Sequence, residues 1–315
     1  MTAVTSTDPD TGADSTAVDG PTCPSITDEF GAGRVPARAP KRTRGPFLKW
    51  AGGKGQLLGP ILARLPVRIE RYHEPFVGGA AVFFALAEER RFKSAVLADR
   101  NAGLIELYGV VRDHVDALIA RLGVHRYEEA YYYEVRAQAP ETLDPVQRAA
   151  RLLFLNRTGF NGLYRVNSKG LFNVPFGRYT NPRICDEPGL RRASAALTNV
   201  ALRVADFEDV VAEAGPADAV YFDPPYYPLS PSSSFTAYDP YPFREPEQER
   251  LARVHRALGE RGVFSLLSNS DTPFTRALYD GLDVETVEAT RNINSVASKR
   301  GKITELLVRA RPAVV

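Results

Sequence analysis

An α/β fold with a mostly parallel sheet is the architecture that the residue pattern predicts, on three observations. Short β-like runs at 95–98, 200–204 and 219–222 stand just before the acidic residues Asp99, Asp206 and Asp223. Helical periodicity at 102–122 and 245–258 separates some of these runs, and alternating strand and helix periods imply βα units. Further apolar runs at 263–267 and 303–308 supply additional strands. Ligands of such sheets collect beyond the carboxyl ends of the strands, so the three acids mark the expected site.

Along the chain, residues 1–33 are rich in Thr, Asp, Ser, Gly and Pro and lead into Arg34, Arg38, Lys41, Arg42 and Arg44. A segment with so little apolar surface cannot offset its ordering entropy, so 1–45 reads as a disordered tail with a basic end. That end is either simply solvated or a loose arm on phosphates. Globular texture starts at Phe47. Segments 46–122 and 200–315 form the sheet domain, and 123–199 breaks its rhythm as an inserted helical and β-hairpin lobe. The main feature of that lobe is a glycine- and asparagine-punctuated hairpin at 156–179.

Composition narrows the function classes. The chain has 315 residues and a formal net charge of +2, so the distribution of charge matters more than its sum. Its two cysteines, Cys23 and Cys185, are far apart, and His73, His114, His125 and His255 lack metal-ligand spacing. A disulfide framework and a zinc cluster are disfavoured, and no metal is expected. No apolar run reaches membrane-spanning length and no signal-peptide layout is present, so a cytoplasmic protein is expected.

Glu74-Pro-Phe-Val-Gly-Gly-Ala-Ala-Val-Phe follows a short strand-like run and opens a helical one. Its glycines permit close backbone approach to a ligand, and the helix start offers free N–H groups. Asp99 lies about 20 residues further on, where an acid can grip ribose hydroxyls. By themselves, a tight turn and an acid capping a strand end are the better explanation of this stretch. Lys49-Trp-Ala-Gly-Gly-Lys54 is no phosphate-binding P-loop, because Gly55 stands where Ser or Thr is required. Trp50, the single tryptophan, sits where something flat or cationic could rest on it.

Val220-Tyr-Phe-Asp-Pro-Pro-Tyr226 is the most informative string. A strand delivers Asp223 to its end, and Pro224 and Pro225 stiffen the backbone and remove two N–H donors. A carboxylate, a rigid carbonyl and the Tyr226 ring suit a planar amine. The adenine N6 lone pair is delocalised into the ring. Two acceptors on its hydrogens, Asp223 and the Pro224 carbonyl, would localise that pair for in-line attack on a sulfonium methyl. The string points to amine methylation without separating adenine N6 from cytosine N4. Cytosine C5 chemistry lacks a suitably placed cysteine, and zinc deamination lacks its cysteine pair.

In combination these strings resemble the Dam-type, D12 class DNA adenine-N6 methyltransferases, over roughly 47–308. The resemblance implies a Rossmann-like S-adenosylmethionine-dependent methyltransferase sheet, S-adenosylmethionine as methyl donor and double-stranded DNA as partner. It places Trp50, Lys54, Glu74, Phe76, Gly78, Asp99, Asp206, Phe207 and Asp223 at the cofactor, and Asp223, Pro224, Pro225 and Tyr226 at the catalytic centre. The strings 156–167, 172–179, 235–238 and 269–272 also match. Two departures are a longer tail before Phe47 and Ala80 where a third glycine is common.

Residues 156–179 interleave Arg157, Arg165, Lys169 and Arg178 with Phe160, Tyr164, Phe172 and Phe176. A basic, aromatic hairpin is a candidate groove-entering ribbon, and some of its rings must pack on the core. The family likeness implies GATC recognition, with Arg165 at a guanine edge, Leu163 and Pro175 at thymine methyls and Lys49 at the first guanine. Asn161 and Asn167, from the same string, join Arg178 among the expected DNA contacts. A second basic cluster, Arg291, Lys299, Arg300 and Lys302, reads as a loop closing on phosphates or merely as a solvated one. Tyr226 would stack on an extruded base. Another target sequence or base and a non-catalytic DNA-binding relative remain alternatives, and a companion restriction endonuclease is a possible partner.

Overall fold

The chain enters the fold through α1 (Leu58–Arg64) and then alternates: β1 (Ile69–Glu74), α2 (Ala81–Glu88), β2 (Phe92–Asp99) and α3 (Ala102–Asp113). Helices α4 (Val115–Gly123), α5 (Glu129–Ala137), α6 (Pro145–Thr158) and α7 (Glu187–Ala196) follow before β3 (Val200–Val204). The remainder is α8 (Phe207–Val211), β4 (Ala219–Phe222), α9 (Glu245–Glu260), β5 (Phe264–Ser270), α10 (Pro273–Leu278), β6 (Asp283–Thr290) and β7 (Lys302–Arg309). This computed structural model describes residues 46–167, 169–229, 243–290 and 302–310. The tail 1–45, the string 235–238 and residues 291 and 299–300 of the second basic cluster lie outside the described residues.

The seven strands form one sheet in the order β3-β2-β1-β4-β5-β7-β6. The first five are mutually parallel, and β7 runs antiparallel to both β5 and β6. The chain thus lays strands outward from β1 in one direction and then, from β4, in the other. The crevice between β1 and β4 is the topological switch point, where an open α/β sheet holds its ligand.

Side-chain alternation divides the core between the two faces. Ala95, Leu97, Ala219, Tyr221, Leu266 and Leu307 belong to one buried cluster, and Val96, Ala98, Val220, Phe222, Leu267, Leu306 and Val308 to the other. That is the period-2 geometry of a strand. β4 lies mid-sheet and is buried at all four positions, whereas edge strand β3 is buried only at Val200. A strand covered on both faces reads as a continuous apolar run, which is why 219–222 is legible from sequence.

Three expectations need correcting. The helix expected over 102–122 is two helices broken at His114, with φ −136° and ψ 36°. The break turns α4 onto α6 and α7, so tertiary packing overrides a locally helical pattern. β6 was not expected, because its sequence Asp-Val-Glu-Thr-Val-Glu-Ala-Thr carries the polar face of an edge strand. The hairpin expected over 156–179 is not a ladder among the described residues: α6 runs to Thr158, and beyond it the bridges Gly159↔Phe176 and Val166↔Phe172 are isolated ones.

Helix α6 packs on α3, α4 and α5 and spans two buried clusters. Asp144 and Gln147 make a reciprocal capping box at its start, with Pro145 in the first turn. Ala149, Ala150 and Leu153 pack into the main core, while Phe154 and Leu155 join Tyr132, Val135, Phe172 and Val174 in a smaller one. Arg151, buried in the same helix, donates to the Val135 and Arg136 carbonyls at 2.9 and 2.7 Å and thereby caps the end of α5.

Candidate active site

The carboxyl ends of β1 and β4 bring the two richest sequence strings face to face at the switch point. Asp223, immediately after β4, pairs through Oδ1 with Lys54 Nζ at 2.6 Å and accepts from Ser268 Oγ at 3.0 Å. Among the described residues no donor reaches its Oδ2 or the Pro224 carbonyl. The Asp223 side chain keeps 18% of its surface exposed, so Oδ2 and the Pro224 carbonyl are left available to a ligand with two N–H groups. Burial pushes the Asp223 carboxyl up, opposed by Lys54 and Ser268. Tyr226 donates its hydroxyl to Glu305 Oε2 at 2.8 Å, and Lys54 Nζ lies 4.6 Å from its ring centroid. One ring face is therefore taken by the ammonium, and a base could stack only on the other.

Beneath the β1 end, Glu74 is 3% exposed, with Oε2 accepting from the Tyr72 hydroxyl at 2.9 Å and the Phe83 amide at 3.2 Å. Burial drives its carboxyl up to about 8. Expected at the cofactor, it bonds within the chain to Tyr72 of β1 and Phe83 of α2, on the two sides of the glycine loop. Gly78 adopts φ +43°, and a Cβ there would come within 2.9 Å of Trp50 Cδ1. Its amide donates to Asp99 Oδ2 at 3.3 Å, and Tyr108 donates to its carbonyl at 2.8 Å. Trp50 rests against this loop and stacks on Tyr164, with centroids 5.1 Å apart. Ala80 holds φ +54° at the start of α2, a left-handed conformation that costs an L-residue roughly 1–2 kcal/mol.

The acid after β3 is arranged differently. Asp206 Oδ2 pairs with Arg100 at 2.6 Å and Arg250 at 2.8 Å. Burial pushes its carboxyl up, but Arg250 and the Glu208 amide more than offset that, and the net direction is down. Phe207 is 2% exposed, stacked on Phe76 at 5.5 Å, and the Arg250 guanidinium lies 4.3 Å from its centroid. Asp206 and Phe207 are thus tied into the second core cluster, with Phe76 partly buried against it.

The expected DNA-facing residues fall into two groups. Lys49, Asn161, Arg165, Pro175 and Arg178 are exposed. Lys49 Nζ lies 4.6 Å over the Tyr179 ring, and burial, then Arg157, lowers its ammonium pKa. Arg165 is docked on Asn173 through Nε at 2.7 Å. By contrast Leu163 is half-buried beside the small core, and Asn167 Oδ1 accepts from the amides of Lys169 and Leu171 at 2.9 and 3.0 Å. Asn167 therefore builds the tip of the loop. Arg157 is no ribbon residue either: it is part-buried on α6 and donates to the Phe47 carbonyl.

A family model described as D12 class N6 adenine-specific DNA methyltransferase matches residues 50–293, well over half of the chain. The chain belongs to this family. Among proteins it is similar to, the type II methyltransferase M.MjaIII of Methanocaldococcus jannaschii is 45% identical, covering 84% of this chain and 98% of that one. The type II methyltransferase M1.LlaDCHI of Lactococcus lactis subsp. cremoris is 43% identical over 84% of this chain and 94% of that one. The DNA adenine methylase of Escherichia coli K12 is 39% identical over 85% of this chain and 96% of that one.

For a D12 class adenine methyltransferase the fold is the Rossmann-like α/β sheet of S-adenosylmethionine-dependent enzymes, and the family implies that methyl donor. The residues at the switch point fit it. The start of α2 has no side-chain cap, a glycine loop admits close approach, and carboxylates stand at or just beyond the ends of β2, β3 and β4 to face a cationic nucleoside. Among the described residues no group of three His, Cys, Asp or Glu could hold a metal, and no helix is long and apolar enough to cross a membrane.

Several residues at the site escaped the sequence reading: Ser268, Gln248, Glu305, Arg250 and Asn156 as a clamp. Asn156 is 1% exposed; it accepts from the Lys49 amide at 3.0 Å and donates to the Lys49 and Gly162 carbonyls at 2.7 and 2.9 Å. Two of these residues were visible as anomalies. Ser268 belongs to a polar triplet ending an apolar strand, and Gln248 shares a helical face with Leu251, Ala252 and His255, all buried. A polar residue at a core position needs a partner.

Proposed function

We propose that this enzyme methylates adenine N6 within GATC in double-stranded DNA, taking the base extruded from the helix. The observation that carries the reading is the pairing of two free acceptors, Asp223 Oδ2 and the Pro224 carbonyl, beside a carboxylate oxygen already held by Lys54 and Ser268. An exocyclic amine has two hydrogens to give them. Bound S-adenosylmethionine supplies an electrophilic methyl carbon on sulfonium sulfur. Trp50, Lys54, Gly78, Asp99 and the Asp206–Phe207 pair would hold that donor, with Glu74 and Phe76 supporting them.

Asp223 and Pro224 orient the amine and draw its lone pair out of the ring, so positioning and preset dipoles do most of the work. Lys54 and Ser268 favour the charged form of Asp223 against the cost of burial. Extrusion follows from geometry, since a stacked N6 cannot reach the floor of a crevice between two strand ends. The exposed face of Lys49, Asn161, Arg165, Pro175 and Arg178 would read and grip the duplex, with Leu163 and Asn167 setting loop shape behind it. The names of relatives as type II methyltransferases support a companion restriction endonuclease as partner.

Asp223→Ala is expected to lower single-turnover methylation of a GATC duplex by about 10³-fold or more, with cofactor affinity measured in parallel. Residual turnover within tenfold of wild type would remove the acceptor mechanism. Labelled methyl incorporation into duplexes differing by one base of GATC tests the sequence, and equal incorporation across them would refute it.

A further inference from the structure

Two primary amides lie behind the Asp223–Tyr227 loop with no part in the chemistry so far described. Gln248 on α9 and Asn269 on β5 are both fully buried, at 0% exposure. Burying an amide is costly unless its groups are paired. Here the partners converge on the loop. Gln248 Nε2 donates to the Pro225 carbonyl at 2.9 Å, and Asn269 Nδ2 donates to Gln248 Oε1 at 2.9 Å. Asn269 Oδ1 accepts from the amides of Tyr227 and Ser270 at 3.2 and 2.9 Å, and Ser270 Oγ donates to the Tyr227 carbonyl at 2.7 Å.

The order of donors in this chain is forced. Two backbone amides can only donate, so they fix Asn269 Oδ1 as the acceptor and leave Nδ2 to donate onward. Gln248 must then present Oε1 to Asn269 and Nε2 to Pro225. The loop itself has no amide to offer at either proline, so the hydrogen bond on its second carbonyl has to come from outside. We propose that Gln248 and Asn269 form a positioning relay that occupies the Pro225 carbonyl and the Tyr227 amide. The relay holds the two peptide planes that flank Tyr226, directly after the 224–225 peptide, so that the Pro224 carbonyl faces the substrate amine. It rests on the reading in which Pro224 accepts from N6; neither amide touches substrate.

The test compares Gln248→Glu with Gln248→Met, by single-turnover methylation of a preformed enzyme–DNA–cofactor complex between pH 6 and 9. An ionised carboxylate cannot donate to the Pro225 carbonyl, whereas a protonated one can donate to it and still accept from Asn269. Burial among apolar groups raises such a carboxyl into this range. Tyr279 beside Asn269, Glu245 bonded to the Tyr227 hydroxyl, and Asp223 are common to wild type and variants, so the readout is the variant-to-wild-type ratio.

The expected result is a rate lowered about 10–100-fold for both variants, the scale of a small misplacement of a reacting group, with Kd for DNA and cofactor within twofold. Recovery toward low pH should appear in Gln248→Glu alone. A flat ratio for Gln248→Glu at a pH where its thermal melt is cooperative overturns the relay. So does a Gln248→Met enzyme with wild-type rate, or a defect confined to binding. Should Gln248→Glu unfold, Gln248→Met decides by its split between rate and affinity. Asp223→Ala runs alongside: full activity there sinks the underlying acceptor reading, while an inactive Asp223→Ala beside normal Gln248 variants sinks only the relay.

Discussion

The loop after β4 and the loops after α6 are both irregular, yet they are held in different ways. The first is gripped through its backbone and its reactive side chain at once: Lys54 and Ser268 hold the Asp223 carboxylate, and Gln248, Asn269 and Ser270 hold the peptide groups behind it. The second is held through its backbone and through inward or local side-chain contacts such as Arg165 on Asn173. Asn156 clamps Lys49 and Gly162, while Tyr132 and Tyr179 donate hydroxyls to the Val174 and Gly159 carbonyls, each at 2.9 Å. Its outward side chains Arg165, Pro175 and Arg178 stay exposed. Chemistry needs a group fixed in place, whereas reading a groove needs a stable frame with side chains that can reach.

The largest expected effect tests the buried half. Glu74 is the one carboxylate among the described residues that is fully buried, and its carboxyl is raised from 4.5 to about 8. A raised folded pKa means the native state binds the proton more tightly, so the stability it confers is complete below pH 4.5 and is lost as pH rises through 8. Glu74→Gln should flatten the fall in Tm across that window and raise stability above pH 8 by up to about 5 kcal/mol. Parallel pH–Tm curves for the two proteins would place the titration elsewhere.

Next in size, Asn156→Ala leaves three buried backbone groups unpaired and should destabilise by about 2–3 kcal/mol, seen as a melting temperature lower by roughly 4–12 °C. A loss under about 0.5 kcal/mol would mean the frame does not depend on this clamp. Arg165→Ala should leave stability untouched and relax discrimination at one base pair by about 10–100-fold, measured as relative kcat/KM on single-mismatch duplexes. Equal loss on matched and mismatched DNA would reject a base contact. The smallest effect belongs to Arg178→Ala, a fewfold weaker binding on every sequence with a salt slope shallower by about one.

What could be read in the chain follows the same division. The central strands were plain because burial on both faces leaves apolar runs, and Asp223-Pro-Pro-Tyr226 stood out because its chemistry is local. The break at His114 was invisible, since both halves are helical by pattern and only packing on α6 and α7 separates them. The recognition ribbon was over-read: alternating basic and aromatic residues suggested a ladder, whereas Phe172 and Val174 turn inward to a small core and Arg157 belongs to α6. Long-range braces such as Asn156 and Gln248 show in sequence only as polar residues at core positions, without naming what they touch.

The clamp at Asn156 has a bearing on how such enzymes diversify. Every bond it makes ends on a main-chain atom of residue 49 or 162, so it is blind to the side chain at 49. Close contact sets one limit, because a Cβ at Gly162 would fall 2.4 Å from the Lys49 side chain. Outside that pinch, residues on the exposed face that we propose meets the duplex can be exchanged without loosening their mount, which would bring new target preferences within reach of single steps.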